Sequence, residues 1–111
     1  MIKVKLFDQF KRELKPLAKK FRTLVVELNQ LIDELERNPT QGKSLGSGLY
    51  KIRLSSQSKG GGKSGGFRVI TYYVETKNDV ETVYLVSIYD KSEFSTVSKT
   101  ELLKLIENSL H

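Results

Sequence analysis

The sequence contains no cysteine, and its single histidine is the last residue, His111. The lack of cysteine excludes disulfide frameworks and cysteine-ligated zinc. A histidine at a chain end is a poor general base or metal ligand, because chain ends are usually poorly ordered. The carboxylates cluster on predicted helices without the spacing of metal ligands. We therefore expect no metal, no cofactor, and neither a Ser-His-Asp nor a Cys-His catalytic arrangement.

Long apolar runs are also missing. No stretch approaches the roughly 20 residues that a membrane span needs. The first apolar stretch is interrupted by Lys3 and Lys5, which argues against a signal peptide. These absences predict a cytoplasmic protein with no membrane partner. The length predicts one domain, residues 1–111, with a core that needs no cross-link.

Acidic residues are absent from one long segment. The net charge is +6, and the stretch from Arg37 to Val74 holds seven basic residues but neither Asp nor Glu. The rest of the chain has 12 basic and 13 acidic residues, and all eight glycines lie within the basic segment. Such a local excess of positive charge favours a polyanionic partner. The alternative is a solvated basic loop that serves solubility alone.

Hydrophobic periodicity predicts an α+β domain that begins with a strand and two helices. Ile2 to Phe7 alternates as a strand with one buried face, and Asp8 is placed to cap the following helix. Phe10 to Phe21 has helical spacing, but Pro16 should kink or divide this helix.

The second helix has the clearest pattern, with apolar residues at helical spacing from Phe21 to Leu35. It should end near Asn38, because a proline follows and disfavours helical geometry at the residue before it. Residues 40–48 are turn-forming residues and are interpreted as a loop.

Three strands are predicted next. Leu49 to Leu54 alternates, Phe67 to Val74 is rich in β-branched and aromatic residues, and Val80 to Tyr89 is apolar on both faces, as in a central strand. Asn78-Asp79 suits the hairpin turn between the last two.

A final helix should start at Ser98, with Glu101 completing a capping box. Its predicted buried stripe is Leu102, Leu103, Leu105 and Ile106. The order β-α-α-β-β-β-α predicts a twisted, mostly antiparallel sheet with two N-terminal helices and one C-terminal helix. Whether the first two strands run parallel or antiparallel stays open.

The glycine-rich run KGGGKSGG, residues 59–66, invites comparison with a phosphate-binding loop. That motif needs a glycine where this sequence has Gln57, and it should open a helix rather than precede a strand. We therefore reject a nucleotide-binding loop. A flexible hairpin connection without a ligand is the simpler interpretation of these glycines.

Basic residues recur at strand spacing near the predicted hairpins. Lys51 and Arg53 project from the same face of one strand, and Arg68 begins the next strand. Tyr89 and Lys91 lie two apart at the end of the last strand. If these strands are neighbours, the cations form a patch suited to a phosphodiester, and Tyr89 could stack on a base. Exposed faces without function are the alternative.

Three further lysines are candidate RNA contacts. Lys59 and Lys63 lie on the long loop, which is expected to form a mobile basic flap above the patch. Lys43 lies in the stretch before the first strand of the patch.

The stretch GLYKIRLSSQSKGGGKSGGFRVITYYV, Gly48 to Val74, resembles the central signature of RelE-type toxins, and is most similar to their HigB-like branch. VYLVSIYDKSE, Val83 to Glu93, resembles the next strand of that family and its Tyr-x-Lys-x-Glu ending. The upstream stretches FKRELKPLAKKF and ELERNP also match the family's general form. The resemblance therefore covers nearly the whole chain.

The resemblance implies the toxin of a toxin–antitoxin pair. Such a toxin enters the ribosomal A site and cleaves the mRNA there without metal. The 2′-hydroxyl attacks the adjacent phosphate and leaves a 2′,3′-cyclic phosphate. The implied partners are mRNA, the ribosome with its rRNA, and a cognate antitoxin, a small helix-turn-helix protein.

The resemblance also assigns roles to residues. Arg53 and Arg68 would stabilise the phosphate, and Lys51 would activate the 2′-hydroxyl. Lys91 would balance charge on the leaving group, and Tyr89 would stack or orient. Lys59 and Lys63 would contact the RNA backbone. Some relatives carry Arg where this chain has Ser92, and some carry Tyr where it reads Phe94-Ser95-Thr96-Val97-Ser98, so the general acid is not assigned.

Two other functions fit the same pattern. One is a ParE-like toxin, which shares the fold and acts on DNA gyrase through protein contacts, although such members usually lack the basic patch. The other is a non-catalytic domain that binds RNA or DNA through the patch.

Overall fold

The computed structural model describes residues 2–60, 66–76, 78–93 and 98–110. Its elements are, in chain order, β1 (Ile2–Leu6), α1 (Asp8–Lys20), α2 (Leu24–Arg37), β2 (Lys43–Gly46), β3 (Leu49–Leu54), a short 3₁₀ helix (Gln57–Lys59), β4 (Phe67–Glu75), β5 (Glu81–Asp90) and α3 (Lys99–Leu110). Three helices and a five-stranded mixed sheet confirm the predicted α+β class. None of the helices in these ranges is long and apolar enough to cross a membrane.

The strands lie in the order β1-β5-β4-β3-β2. The three pairs from β2 to β5 are antiparallel, while β1 runs parallel to β5, with Ile2 opposite Glu81 and Leu6 opposite Leu85. The sequence left open whether the first two predicted strands run parallel or antiparallel. They do not pair, because β1 is adjacent to neither β2 nor β3. β5 is internal to the sheet, which confirms the prediction from its apolar faces.

The helices and the sheet enclose one hydrophobic core. α2 buries Leu24, Leu28, Leu31 and Leu35 along one face, and α1 buries Phe10. The sheet contributes Leu49, Ile52, Phe67, Val69, Ile70, Val83, Leu85, Val86 and Ile88. Most of the buried sheet residues lie on β4 and β5. Side chains at the ends of these two strands are therefore attached to strands that are largely buried in the core.

The region predicted as a loop at residues 40–48 contains a strand. β2 pairs with β3 at the edge of the sheet, where Lys43 lies opposite Lys51 and the register shifts between Ser44 and Gly46. The loop prediction was wrong, because an edge strand of four residues is stabilised by backbone bonds and carries no apolar alternation.

The first helix is not divided at Pro16, which was one of the two predicted effects of that proline, and the predicted cap at Asp8 is wrong. α1 runs through Pro16 without a break, since Pro16 and Arg12 are exposed and water can satisfy the carbonyl that loses its helical partner. Asp8 is the first residue of α1, and Phe7 holds the N-cap position without a side-chain bond. The Asp8 carboxylate instead lies in the first turn, where the helix dipole favours a negative charge.

The later elements follow their predictions closely. Thr76 donates to Val80 across the hairpin turn, at 3.0 Å, and Asp79 has a positive φ of 57°. Ser98 Oγ accepts a bond from Glu101 N at 3.5 Å, as in a capping box. Leu103 was wrongly placed in the buried stripe of α3, because it is 39% exposed.

Candidate active site

Strand register brings the predicted cations of β3 and its neighbours to one face of the sheet. Lys51 and Arg53 lie two residues apart on β3 and so project from the same face. Across the ladders, Lys43 lies opposite Lys51, and Arg68 lies opposite Arg53. Since directly opposed residues share a face, four cations from three strands converge.

These side chains line an open cavity of about 470 Å³. Its lining residues in the described ranges are Gln41, Gly42, Lys43, Lys51, Ile52, Arg53, Arg68 and Lys91. Five of the eight are cations and none is acidic. We call this the cation cavity. Its shape and charge suit an anion, because Arg and Lys offer several donors to phosphate oxygens.

The cavity's cations differ in exposure. Lys43 and Arg53 are exposed, and Lys51 and Lys91 are half-buried. Arg68 is only 5% exposed, and its Nη1 donates to the Phe67 carbonyl at 3.3 Å. Within the described part of the chain, Arg68 forms no ion pair. A buried guanidinium without a counter-charge costs free energy, so the folded protein presents a site that an anion would stabilise.

The electrostatics of Lys51 depart from those of an ordinary surface lysine. Burial lowers the pKa of the Lys51 ammonium, and the charges of Lys43, Arg68, Lys91 and Arg53 lower it further, in that order. A lower pKa raises the fraction of a lysine side chain that is neutral, and the neutral amine is the form that can accept a proton.

Tyr89 lies beside the cation cavity rather than in it. It is opposite Arg68 on β5, but its side chain is 5% exposed and lines a different cavity, with Glu13, Ser87 and residues of α3. Burial raises the pKa of the Tyr89 hydroxyl, and the charge of Arg68 partly opposes that rise. The ring of Tyr89 is therefore placed to pack next to Arg68, and it is not exposed for stacking on an RNA base.

Lys59 is also separated from the cation cavity. Its ammonium forms an ion pair with Asp90 and lies over the rings of Phe67 and Phe21, at 5.1 and 5.7 Å from their centroids. Lys59 is therefore held against the protein. The residues up to Gly60 therefore do not form the mobile flap that was expected. Lys63 lies outside the described residues.

Nearly the whole chain matches one protein family. A family model described as the RelE toxin of the RelE / RelB toxin-antitoxin system matches residues 2–110. The chain belongs to the RelE toxin family. It is thus the toxin component of a toxin–antitoxin system, and a cognate antitoxin is its partner. The sequence-based recognition of a RelE-type toxin is confirmed.

Three residues of this RelE toxin's cavity were not among the sequence-based candidates, namely Gln41, Gly42 and Ile52. Gly42 has a φ of +98°, and a Cβ there would lie 2.7 Å from the Lys51 carbonyl oxygen. Glycine is needed where a backbone approaches so closely in a conformation that L side chains rarely adopt. The sequence does show a glycine just before Lys43. It was not considered as a site residue, because residues 40–48 were interpreted as a loop.

The arrangement can perform proton transfer and phosphate charge stabilisation. In the described ranges there is no group of three or more His, Cys, Asp or Glu that could hold a metal ion. Lys51 can exchange a proton, and the arginines can hold a charge that develops on phosphate oxygens. The RelE toxin therefore carries, on one rigid face, groups for general base chemistry and for charge stabilisation.

Proposed function

We propose that this RelE toxin is an endoribonuclease that cleaves mRNA in the ribosomal A site and so inhibits translation. The observation that carries the proposal is Arg68, a buried cation with no ion-pair partner in the described residues, at the base of a cavity lined by four more cations. An RNA phosphate supplies the missing counter-charge. The proposed reaction uses no metal or cofactor.

In the proposed reaction the 2′-oxygen attacks the adjacent phosphorus, and the bond from phosphorus to the 5′-oxygen breaks. Neutral Lys51 takes the 2′-hydroxyl proton. Arg53 and Arg68 stabilise the negative charge that builds on the phosphoryl oxygens. Lys91 stabilises the departing 5′-oxygen and, as an ammonium, can donate the proton it needs. The products are a 2′,3′-cyclic phosphate and a 5′-hydroxyl.

A second cationic surface supports dependence on the ribosome. Along α1 and just after it, six basic residues are exposed: Lys11, Arg12, Lys15, Lys19, Lys20 and Arg22. Glu13, an acid in the same stretch, is drawn inward, where it accepts a bond from Ser87 Oγ at 2.9 Å. Lys11, Lys15 and Lys19 fall at intervals of four on one helical face. Such a stripe suits the phosphates of rRNA.

Primer extension on a purified translation system tests the proposal. A ribosome programmed with a defined A-site codon is incubated with the toxin, and the ends of the mRNA are mapped. We expect cuts within the A-site codon only when ribosomes are present, with 2′,3′-cyclic phosphate ends. A 2′-deoxy nucleotide at the cleaved position should abolish the cut.

The same preparation separates the alternatives. Trapped gyrase–DNA complexes without mRNA cuts would favour a ParE-like toxin and overturn the proposal. Binding of RNA without any cut, with or without ribosomes, would leave a non-catalytic nucleic-acid-binding domain.

A further inference from the structure

Lys59 and Asp90 form the ion pair found within the described residues. Asp90 is 4% exposed, and the side chain of Lys59 is 12% exposed. Asp90 Oδ1 also accepts bonds from Ser92 N at 2.9 Å and Ser92 Oγ at 2.8 Å. Burial acts to raise the pKa of Asp90, but the bond from Lys59 and those from Ser92 together hold it below its usual value. The carboxylate is therefore ionised and held in place.

The segment that carries Lys59 is fixed at a second point, on α2. Thr23 N donates to Ser58 Oγ at 2.8 Å, and Ser58 N donates to Thr23 Oγ1 at 3.1 Å. Gln57 N donates to Glu27 Oε2 at 2.8 Å. The 3₁₀ helix thus connects the start of α2 to the end of β5, with Lys59 as its contact on the β5 side.

The end of β5 is where the cation cavity receives Lys91. Asp90 lies opposite Phe67 and its side chain reaches Lys59, while the next residue, Lys91, lines the cavity. The Lys91 N–H donates to the Gly66 carbonyl at 3.1 Å. The backbone around Lys91 is therefore held by this bond after β5 and by the buried Asp90 just before it.

Stability alone is a weak reason for such a pair. Replacing a buried ion pair by apolar groups of similar volume is often neutral or stabilising, because the desolvation of two charges offsets their attraction. A directional contact between the loop and the strand, however, fixes where the strand end lies. The contacts around Lys59 and Asp90 favour this role, in which the pair fixes the position of the end of β5.

We propose that Lys59 and Asp90 are positioning residues for RNA cleavage, and that their ion pair holds the end of β5 so that Lys91 stays in the cation cavity beside Lys51. The inference rests on the proposed function for its kinetic consequence. It assigns Lys59 a role different from the RNA contact expected from sequence. Neither residue needs to touch the substrate.

The test compares wild type with the double variant Lys59→Met/Asp90→Asn, which removes both charges and leaves no buried ion unpaired. Lys3→Met/Asp33→Asn is the matched control, because it makes the same changes at two exposed positions. Three quantities are measured: the thermal midpoint, the kcat and KM for cleavage on programmed ribosomes, and the pH titration of Lys51 by NMR.

We expect the double variant to stay folded and to lose at least about tenfold in kcat, with KM changed by less than about twofold. Lys51 should titrate at higher pH, because the charge of Lys91 has moved away from it. A wild-type kcat together with a wild-type Lys51 titration would overturn the proposal. If wild type does not cleave at all while the Lys51 titration still shifts, the proposed function fails and the positioning of Lys91 stands.

Single variants decide the matter if the double variant does not fold. Lys59→Arg keeps a cation that can reach Asp90 and lie over the rings, and should retain kcat within about threefold. Lys59→Met should lose about tenfold or more. Equal kcat values for the two variants would contradict a positioning role.

Discussion

Arg53 lies directly opposite Arg68 on β3 and β4, so two guanidinium groups share one face of the sheet. Like charges placed opposite each other destabilise a strand pair. The fold therefore keeps an unfavourable pair at the cation cavity. Residue pairs that lower the stability of the fold in this way are expected at functional sites.

The first prediction follows from this pair. Arg53→Gln should raise the free energy of unfolding by about 0.2–1 kcal/mol, because it relieves the repulsion with Arg68. The same change should slow mRNA cleavage, since one phosphate donor is lost. Urea denaturation and single-turnover kinetics measure the two effects. A destabilised Arg53→Gln variant would show that Arg53 contributes more through packing than it costs through charge.

The second prediction concerns pH. The pKa of Lys51 is lowered by burial and by neighbouring cations from its usual 10.5, so the unfolded state binds more protons between the lowered value and 10.5. Stability from this group therefore rises with pH through that window. Lys51→Met lacks the effect, and any stability advantage it has over wild type should shrink as the pH approaches 10.5. Urea denaturation of both proteins over a pH series measures this. A difference independent of pH would contradict the lowered pKa.

The third prediction concerns Gly42. Gly42→Ala should lower the free energy of unfolding by about 1–2 kcal/mol, because the residue has a positive φ. The loss should be larger still, because the added Cβ would lie 2.7 Å from the Lys51 carbonyl oxygen and 2.8 Å from Ile52 Cγ1. Cleavage should also slow, because the shift occurs beside Lys51. Gly60→Ala is the control, with a φ of +86° but, among the described residues other than its chain neighbour, no atom within 4 Å of a Cβ at that position. Equal losses of stability in thermal melts would contradict the close approach at Gly42.

The fourth prediction concerns the exposed basic face of α1. The triple variant Lys11→Gln/Lys15→Gln/Lys19→Gln should bind ribosomes more weakly, and the slope of log affinity against log salt should fall by about 2. Ribosome sedimentation over a salt series gives both quantities. The residues of the cation cavity are unchanged, so cleavage at saturating toxin should stay near wild type.

The control for α1 is a second triple variant with the same loss of charge, Lys3→Gln/Lys5→Gln/Lys104→Gln, at exposed positions on β1 and α3. Its salt slope should stay close to that of wild type. Equal slopes for the two triple variants would mean that net charge, rather than the α1 face, sets the affinity for ribosomes.

Much of the fold could be predicted because its signals are local. The alternation in Leu49–Leu54 and the uniform apolar character of β5 each specify a strand, and four leucines at helical spacing specify α2. β2 could not be predicted, because KSLG carries turn-forming residues and pairs only through its backbone with β3. The parallel partner of β1 was equally inaccessible, since it lies at the far end of the chain.

In the candidate site, too, the residues whose position depends on local spacing could be predicted, and those whose position depends on tertiary packing could not. Residues on strands, such as Lys51, Arg53 and Arg68, were placed correctly because strand spacing fixes the face on which a side chain lies. Lys59 follows no such rule, and its partner Asp90 is set by tertiary packing that spacing does not reveal. Tyr89 has the right register but is buried, which depends on α3.

The variant Lys51→Met tests most directly whether the cation cavity performs the proposed cleavage. Single-turnover cleavage of mRNA on programmed ribosomes is measured for Lys51→Met beside Lys3→Met, and ribosome binding is measured separately. We expect Lys51→Met to lose about 10²–10⁴-fold in rate while binding ribosomes like wild type, and Lys3→Met to lose nothing. A Lys51→Met protein that cleaves at the wild-type rate would contradict the account.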